Sequence, residues 1–237
     1  MSRSNPVETT KNPCTRWHEW AGGDNGGVFG YYDKEKKAMV EVAGKFTFIV
    51  LDELSCVKGW HDASDSGINS NECRDLKSEP LVVKSFKGGV LAEGLYAQIR
   101  DRIHAHGGHY TANIYCAYKH ESGELKLGSV QLKGAALNAW VNFKSDNRKA
   151  IYEKAIKVEG YTEGKKGKVT YRVPKFSLVD ITPETDAAAK RIDAEILQPY
   201  LDGYFRQNTL AKVEVTATAT TPEDEYADAE AKAQEEK

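Results

Sequence analysis

The run that most constrains the fold is MVEVAGKFTFIVLDEL, residues 39–54, in which β-branched and aromatic residues are concentrated. Such residues favour strands, and a run of this length, interrupted only at Gly44, predicts one long strand that bends at the glycine. Phe46, Phe48 and Val50 recur at every second position, so we expect them to share one face of that strand. A long bent strand is typical of a small β-barrel.

The elements that follow suggest which barrel this is. Residues 54–60 are expected to supply a short second strand, and residues 59–79, rich in Gly, Asn, Asp and Ser, a long excursion between strands. A strand over 81–86 precedes a helix whose apolar stripe is predicted at Leu91, Leu95, Ile99 and Ile103. Two strands, 109–119 and 124–133, come next. This order predicts a mainly β protein with helices, specifically an OB-fold: a five-stranded Greek-key barrel with a helix between strands 3 and 4.

The remaining sequence extends this domain and flanks it. A basic hairpin and a helix that starts at Thr182 and Pro183 form a predicted C-terminal extension. We therefore divide the chain into a flexible arm (residues 1–14), an OB-fold domain with helix and hairpin additions (15–208) and an acidic, disordered tail (209–237).

The charge is divided unevenly along the chain. The net charge is −2, but residues 223–237 alone carry −5, which leaves the rest at +3. A basic body joined to an acidic terminus indicates a polyanionic ligand with the tail as a competitor, although such a tail also serves solubility alone. The tail residues expected to modulate binding are Glu223, Asp224, Glu225, Asp228 and Glu230.

Aromatic and basic side chains alternate along the predicted strands, as a protein that binds single-stranded nucleic acid requires. Rings provide stacking platforms for unpaired bases, and cations follow the phosphates. Each ring also has the ordinary alternative of packing in the core. The predicted nucleic-acid-binding residues are Tyr32, Lys34, Lys45, Lys58, Trp60, Lys84, Phe86, Lys87, Tyr115 and Lys119. The hairpin segment GKKGKVTYR, residues 164–172, is a further basic candidate.

The sequence gives little support to an enzyme. It contains no serine-hydrolase, zinc-protease or dinucleotide-binding motif, so we expect no catalytic residue and no cofactor. An alternative is a metal-dependent nuclease or recombination enzyme that uses the acidic loop residues Asp62, Asp65 and Glu72. The pairs Cys14 with His18 and Cys56 with His61, together with Cys73 and His104, His106 and His109, have spacings that leave a zinc site open.

Four segments resemble the single-stranded DNA-binding proteins of tailed bacteriophages, of the divergent OB-fold group known from an Enterobacter phage. They are RWHEWAGG (16–23), GVFGYYDKEKK (27–37), KFTFIVLDELSCVKGW (45–60) and LYAQI (95–99), and the similarity extends over most of residues 13–206. The resemblance implies a protein that coats and protects single-stranded DNA in phage replication, recombination and repair. It also implies stacking by Trp60 and Tyr115 and phosphate contacts from neighbouring lysines.

The same resemblance implies several partners. They are single-stranded DNA, weakly double-stranded DNA, phage replication proteins bound through the acidic tail, and further copies of the protein along DNA. The chain ends in Lys237 rather than in an aromatic residue, which leaves charge alone for autoinhibition. With no apolar run of about 18 residues, we expect no membrane association and a location in the host cytoplasm. A phage adaptor protein whose aromatic strands bury one another is the remaining alternative.

Overall fold

A single antiparallel-rich sheet dominates the unit Pro13–Asp193. The computed structural model describes residues 11–23, 26–42 and 45–207. Within these ranges eleven strands follow the chain: β1 (Trp17–Ala21), β2 (Val28–Asp33), β3 (Ala38–Glu41), β4 (Thr47–His61), β5 (Ser66–Ser70), β6 (Leu81–Ser85), β7 (Gly89–Gly94), β8 (Gly108–Lys119), β9 (Leu125–Lys133), β10 (Ala155–Lys166) and β11 (Val169–Val179). The helices of this unit are α1 (Tyr96–Ala105), α2 (Gly134–Asp146) and α3 (Pro183–Ile192).

The strands are ordered β3-β2-β1-β9-β8-β4-β5-β6-β7, and β10 joins β4 and carries β11. The prediction of a mainly β protein is confirmed. The predicted closed five-stranded barrel is not found, because the sheet of the described residues is open and has more strands. The β1, β2 and β3 strands account for part of this difference, since β1 pairs in parallel with β9 and extends the sheet there.

The long strand β4 organises the core. Phe48 and Val50 lie in one buried cluster with Phe46, as predicted from their spacing. This cluster packs between the sheet and α2, whose Trp140 is fully buried. Trp140 Nε1 donates to Glu53 Oε2 at 3.0 Å, and Lys144 Nζ lies 2.7 Å from Glu53 Oε1, so α2 is fixed to β4 by polar contacts as well.

Two boundaries differ from the predictions. The expected strand over 39–54 is divided into β3 and β4, and Gly44, the predicted bend, lies outside the described residues. The expected second strand, 54–60, is the last part of β4 itself. In the predicted helix, Leu91 belongs to β7, and Leu95 has extended backbone before α1 begins at Tyr96. Ile99 and Ile103 are buried beside Leu91, so the apolar stripe is retained.

The expected long loop over 59–79 is also wrong in part, because it contains β5. Ser66, Ile68 and Ser70 alternate toward the interior of the molecule. The buried serines are tolerated because they have partners: the backbone N–H of Val57 donates to Ser70 Oγ at 2.8 Å, and that of Lys87 donates to Ser66 Oγ at 3.2 Å. Small polar residues therefore form a regular strand here.

The C-terminal extension agrees with prediction. The hairpin is β10 and β11, and Thr182 caps α3 by accepting the Thr185 backbone N–H at 3.3 Å, with Pro183 at the start of the helix. Of the other unit, which comprises Met1–Asn12 and Ala194–Lys237, the described part is residues 11–12 and 194–207. There a π-helical turn, Asp193–Leu197, leads into helix over 198–207, and Leu197, Tyr200 and Leu201 are buried.

Candidate nucleic-acid interface

A groove of about 430 Å³ opens on the sheet face opposite α1 and α2. We call it the sheet groove. Its walls carry aromatic and basic side chains, and its floor carries polar ones. The residues that define it here are Trp17, Trp20, Tyr32, Lys34, Lys58, Asn69, Phe86, Thr111, Gln131 and Lys133.

Strand register explains why these side chains meet. Paired residues of neighbouring strands share a face, and faces alternate along each strand. On β4, β5 and β6 the register aligns Lys58 with Asn69 and Asn69 with Lys84. On β8 and β9 it aligns Thr111 with Lys133. One sheet face therefore carries cations from four strands.

Aromatic rings stand at both ends of the groove. At one end Tyr32 on β2 is 57% exposed and shares the groove with Trp17 and Trp20 on β1. At the other end Phe86 is 77% exposed. A fully buried phenylalanine needs no function beyond packing, but a ring this exposed gains little from the core. These rings are available to an external ligand.

Trp60 and Phe86 lie on the same sheet face and flank Gly67. Trp60 pairs with Gly67 in the β4–β5 register, and the Phe86 backbone N–H donates to the Gly67 carbonyl oxygen at 3.1 Å. Trp60 is 53% exposed. Because glycine has no side chain, the space between the two rings stays open on this face. Two exposed rings separated by a glycine form an arrangement suited to stacking on unpaired bases.

The lysines of the groove are held in place by weak contacts. Lys58 Nζ donates to Asn69 Oδ1 at 2.8 Å, and Lys34 Nζ lies 5.9 Å from the centroid of the Trp17 ring. Neither contact neutralises the charge, since the partners are an amide and a ring. Both ammonium groups therefore remain able to attract a phosphate.

The floor of the groove lies above a buried polar network. Gln131 Nε2 donates to Asn113 Oδ1 at 3.3 Å, and Asn113 Nδ2 donates to Glu72 Oε1 at 2.6 Å. Tyr115 Oη donates to Glu72 Oε2 at 2.6 Å. Burial raises the pKa of the Glu72 carboxyl, against the opposing effect of the Tyr115 hydroxyl. These bonds fix the orientation of the Gln131 side chain at the groove floor.

Tyr115 is therefore not a stacking residue in this structure, and that prediction is wrong. The alternation along β8 was predicted correctly, but Tyr115 is 0% exposed. The segment 71–80 covers this part of the face: Cys73 pairs with Ser55, and Glu72 bonds to the Tyr115 hydroxyl. Only the His109 and Thr111 end of the polar face reaches the groove.

The other predicted lysines are distributed outside the groove. Lys84 is exposed on the same face, and Lys87 Nζ donates to the Asp65 carbonyl oxygen at 3.1 Å, close to Phe86 in sequence. Lys45 lies 3.0 Å from Glu159 and lines a separate cavity of about 150 Å³. Lys119 is eight residues beyond Thr111 on β8, about 27 Å away at ~3.4 Å per residue. Lys45 and Lys119 are thus not part of the groove.

The candidate metal ligands do not assemble. In the described ranges, no group of three or more His, Cys, Asp or Glu side chains is placed to hold a metal ion. Cys14, Cys56, Cys73 and Cys116 are all buried. Glu72 is directed into the polar network, away from Asp62 and Asp65 as a ligand set. The histidines form ring pairs instead, His61 with His106 at 5.3 Å and His104 with His109 at 5.5 Å between centroids.

Sequence reasoning missed Trp17, Gln131 and Lys133. Each lies on a strand whose partner was not predicted, since the parallel pairing of β1 with β9 brings Trp17 opposite Ser129 and Glu19 opposite Gln131. The available signal was the exposed, alternating pattern of WHEWA, which is compatible with an added strand. The tail residues Glu223, Asp224, Glu225, Asp228 and Glu230, and most of the predicted arm 1–14, lie outside the described residues.

Comparisons with protein-family models, with curated proteins and with solved structures find no match to this chain. Among the described residues, no helix is both long enough and apolar enough to span a bilayer.

Proposed function

We propose that this protein binds single-stranded DNA in the sheet groove, by stacking bases on exposed rings and by phosphate contacts from the surrounding lysines. The observation that carries the proposal is the row of Trp60, Gly67 and Phe86 beside Lys58 and Lys84 on one sheet face. The rings provide sequence-tolerant contacts and the lysines provide charge, which is the combination used by proteins that bind single strands without base readout.

The strand order supports an OB-like interpretation of the fold. In a Greek key, three consecutive strands lie side by side and the fourth returns beside the first. The order β8-β4-β5-β6 follows this pattern, with α1 preceding the returning strand β8. In OB-folds the second and third strands and their flanking loops bind oligonucleotides. Here β5 and β6 carry Asn69 and Lys84 and lead to Phe86, in agreement with that use.

The biological setting that fits is the coating and protection of single strands in phage DNA replication, recombination and repair. The support is the sequence resemblance together with the open, basic, aromatic face. Within this function the acidic tail modulates binding by competing with DNA for the same lysines, since it carries −5 over residues 223–237. Phage replication proteins are the proposed partners of the tail.

The test is a fluorescence-anisotropy titration of labelled oligo-dT at low and moderate salt, with a duplex of equal length in parallel. We expect salt-sensitive binding that prefers the single strand. Trp60→Ala is expected to weaken that binding by the ~1–3 kcal/mol typical of one stacked base. Tyr152→Ala is the matched control, because Tyr152 is 56% exposed and lies outside the groove. Equal affinity of wild type and Trp60→Ala would remove Trp60 from the site, and no binding by the wild type would overturn the function.

A further inference from the structure

The hairpin of β10 and β11 extends beyond the sheet. β10 pairs with β4 at Ile156 and Lys157, whereas from Gly160 to Lys166 its register partners are all on β11. We call residues 159–175 the arm. Two-stranded ribbons gain little stability alone, so an arm of this kind is fixed at its root or serves a ligand.

The root of the arm is fixed to the wall of the sheet groove. The Arg172 backbone N–H donates to the Gly22 carbonyl oxygen at 2.8 Å, and Trp20 Nε1 donates to the Arg172 carbonyl oxygen at 2.8 Å. The guanidinium of Arg172 donates to the Gly26 carbonyl oxygen and lies 4.7 Å from the centroid of the Tyr161 ring. Because Trp20 also lines the groove, the arm leaves the body of the protein at the groove itself.

The tip of the arm carries three exposed lysines, Lys165, Lys166 and Lys168, around a turn at Gly167. None of the three forms an ion pair within residues 11–23, 26–42 and 45–207. In contrast, Arg172 at the root is paired with Glu163 at 3.3 Å. Positive charge is therefore neutralised at the root and left uncompensated at the tip.

The tip is within reach of a strand that leaves the groove. Lys166 is three register positions beyond Glu163 and Arg172, which is about 10 Å at ~3.3 Å per residue. Gly167 adopts φ +61°, a conformation that glycine provides without strain, so the turn can stay short. A short turn without bulky side chains lets its backbone and the adjacent lysines approach a phosphate closely.

We propose that the arm tip clamps the phosphate backbone of a single strand where it passes Trp20 and leaves the sheet groove. This inference rests on the proposed function and extends its site by a second, purely electrostatic part. The groove would fix the bases of a short oligonucleotide, and the arm would add affinity only to strands long enough to reach it.

The experiment compares oligo-dT of about 6 and about 20 nucleotides, lengths at and beyond the lower end of the range for one such domain. The full chain is titrated as wild type, as K165A/K166A/K168A, and as K165R/K166R/K168R, which keeps the charge. K77A/R148A/K149A is the matched control, since it removes the same three charges from exposed positions outside arm and groove.

We expect the alanine arm variant to lose on the order of tenfold affinity for the long strand at low salt, with a salt slope smaller by about 2. The short strand should bind unchanged, and the arginine variant and the control should match the wild type. Equal binding of the long strand by wild type and alanine arm variant would overturn the clamp and leave the groove function intact. Equal loss for both lengths would also overturn it, because the arm would then be part of the groove.

The two proposals fail differently. If the wild type does not bind the short strand, but binds the long strand through the arm lysines, the groove function is overturned and the arm remains a nucleic-acid contact. If Trp60→Ala weakens binding of both lengths while the arm variant affects only the long strand, both proposals are supported.

Discussion

The ring of Phe86 lies directly against the backbone of Gly67, where an added Cβ would stand 3.0 Å from Cε2 and 3.2 Å from Cδ2 of the ring. This contact holds an otherwise exposed ring at a defined place beside Trp60. It depends on the absence of a side chain at one position, which makes it open to a minimal substitution.

Gly67→Ala is expected to displace the Phe86 ring and to weaken oligo-dT binding, by up to the ~1–3 kcal/mol of a stacked base. The backbone at Gly67 is not left-handed, so alanine should not unfold β5. Gly23→Ala is the control, because nothing lies within 4 Å of an added Cβ there. In a Phe86→Ala background Gly67→Ala should have no further effect, and an additive loss would show that the two residues do not act together.

Lys58→Ala should reduce both the affinity for oligo-dT and its dependence on salt. One lost phosphate contact on a single strand lowers the slope of log K against log salt by about 0.7. Lys119→Ala removes an equal charge at the distant end of β8 and should leave the slope unchanged. Titrations at several salt concentrations measure both variants, and identical slopes for the two would place the ligand elsewhere on the protein.

Tyr115→Phe is expected to lower stability but not DNA affinity. The Tyr115 hydroxyl donates to Glu72 Oε2, and removing it leaves a buried carboxyl oxygen with one donor fewer. Such a loss costs about 1–3 kcal/mol. Urea unfolding measures the stability and anisotropy the affinity, with Tyr152→Phe as an exposed control. A variant of unchanged stability that binds more weakly would show that Tyr115 reaches the DNA after all.

His18 should make the fold less stable as the pH falls. It is buried among the rings of Phe46 and Tyr118, its Nδ1–H donates to the Ser129 carbonyl oxygen at 3.2 Å, and burial lowers its pKa to about 4. The unfolded chain, with a histidine pKa of about 6.5, therefore binds the proton more readily than the folded one. The free energy of unfolding should fall between about pH 6.5 and 4, by at most roughly 3 kcal/mol.

Urea unfolding at a series of pH values measures this dependence. His18→Gln removes the titrating group and should flatten the pH dependence over that interval relative to the wild type, whatever its effect at neutral pH. His120→Gln is the control at a half-buried histidine on the surface. A His18→Gln variant with the wild-type dependence would contradict the assignment.

Neutralising the tail in the full chain should raise DNA affinity at low salt. The variant replaces Glu223, Asp224, Glu225, Asp228 and Glu230 by the corresponding amides, which keeps length and approximate shape. If the tail competes with DNA by charge, the gain shrinks as salt rises, since screening weakens the competitor too. An affinity equal to that of the wild type at low salt would restrict the tail to a role in solubility or partner binding.

The sequence predicted the alternation of faces well and the covering of faces poorly. Periodicity correctly separated Phe46, Phe48 and Val50 from their neighbours, and it placed Tyr115 on the polar side of β8. Burial of that side depends on Glu72 and Cys73, more than forty residues away in the chain, and no local pattern reports such a contact. The same reason explains Trp17 and Gln131, whose meeting depends on a parallel pairing between distant strands.

Closure of the sheet was beyond the sequence for a related reason. Strand number and order in the OB pattern follow from local signals, but the addition of β1, β2 and β3 beside β9 is decided by which edge buries more apolar surface. Exposed aromatic residues such as Trp60 and Phe86 were identified because they sit between lysines, a local feature that periodicity and charge together can detect.

The burial of all four thiols has a practical consequence. Desolvation raises the pKa of Cys56 to about 12 and raises those of Cys14 and Cys116 as well, so these sulfurs stay protonated and enclosed at neutral pH. Maleimide dyes require an accessible thiolate. A cysteine introduced at an exposed position such as Val169 at the end of the arm would therefore be the preferred labelling site, without removal of any native cysteine. The molecule is thus suited to fluorescence measurements that follow a bound strand in real time.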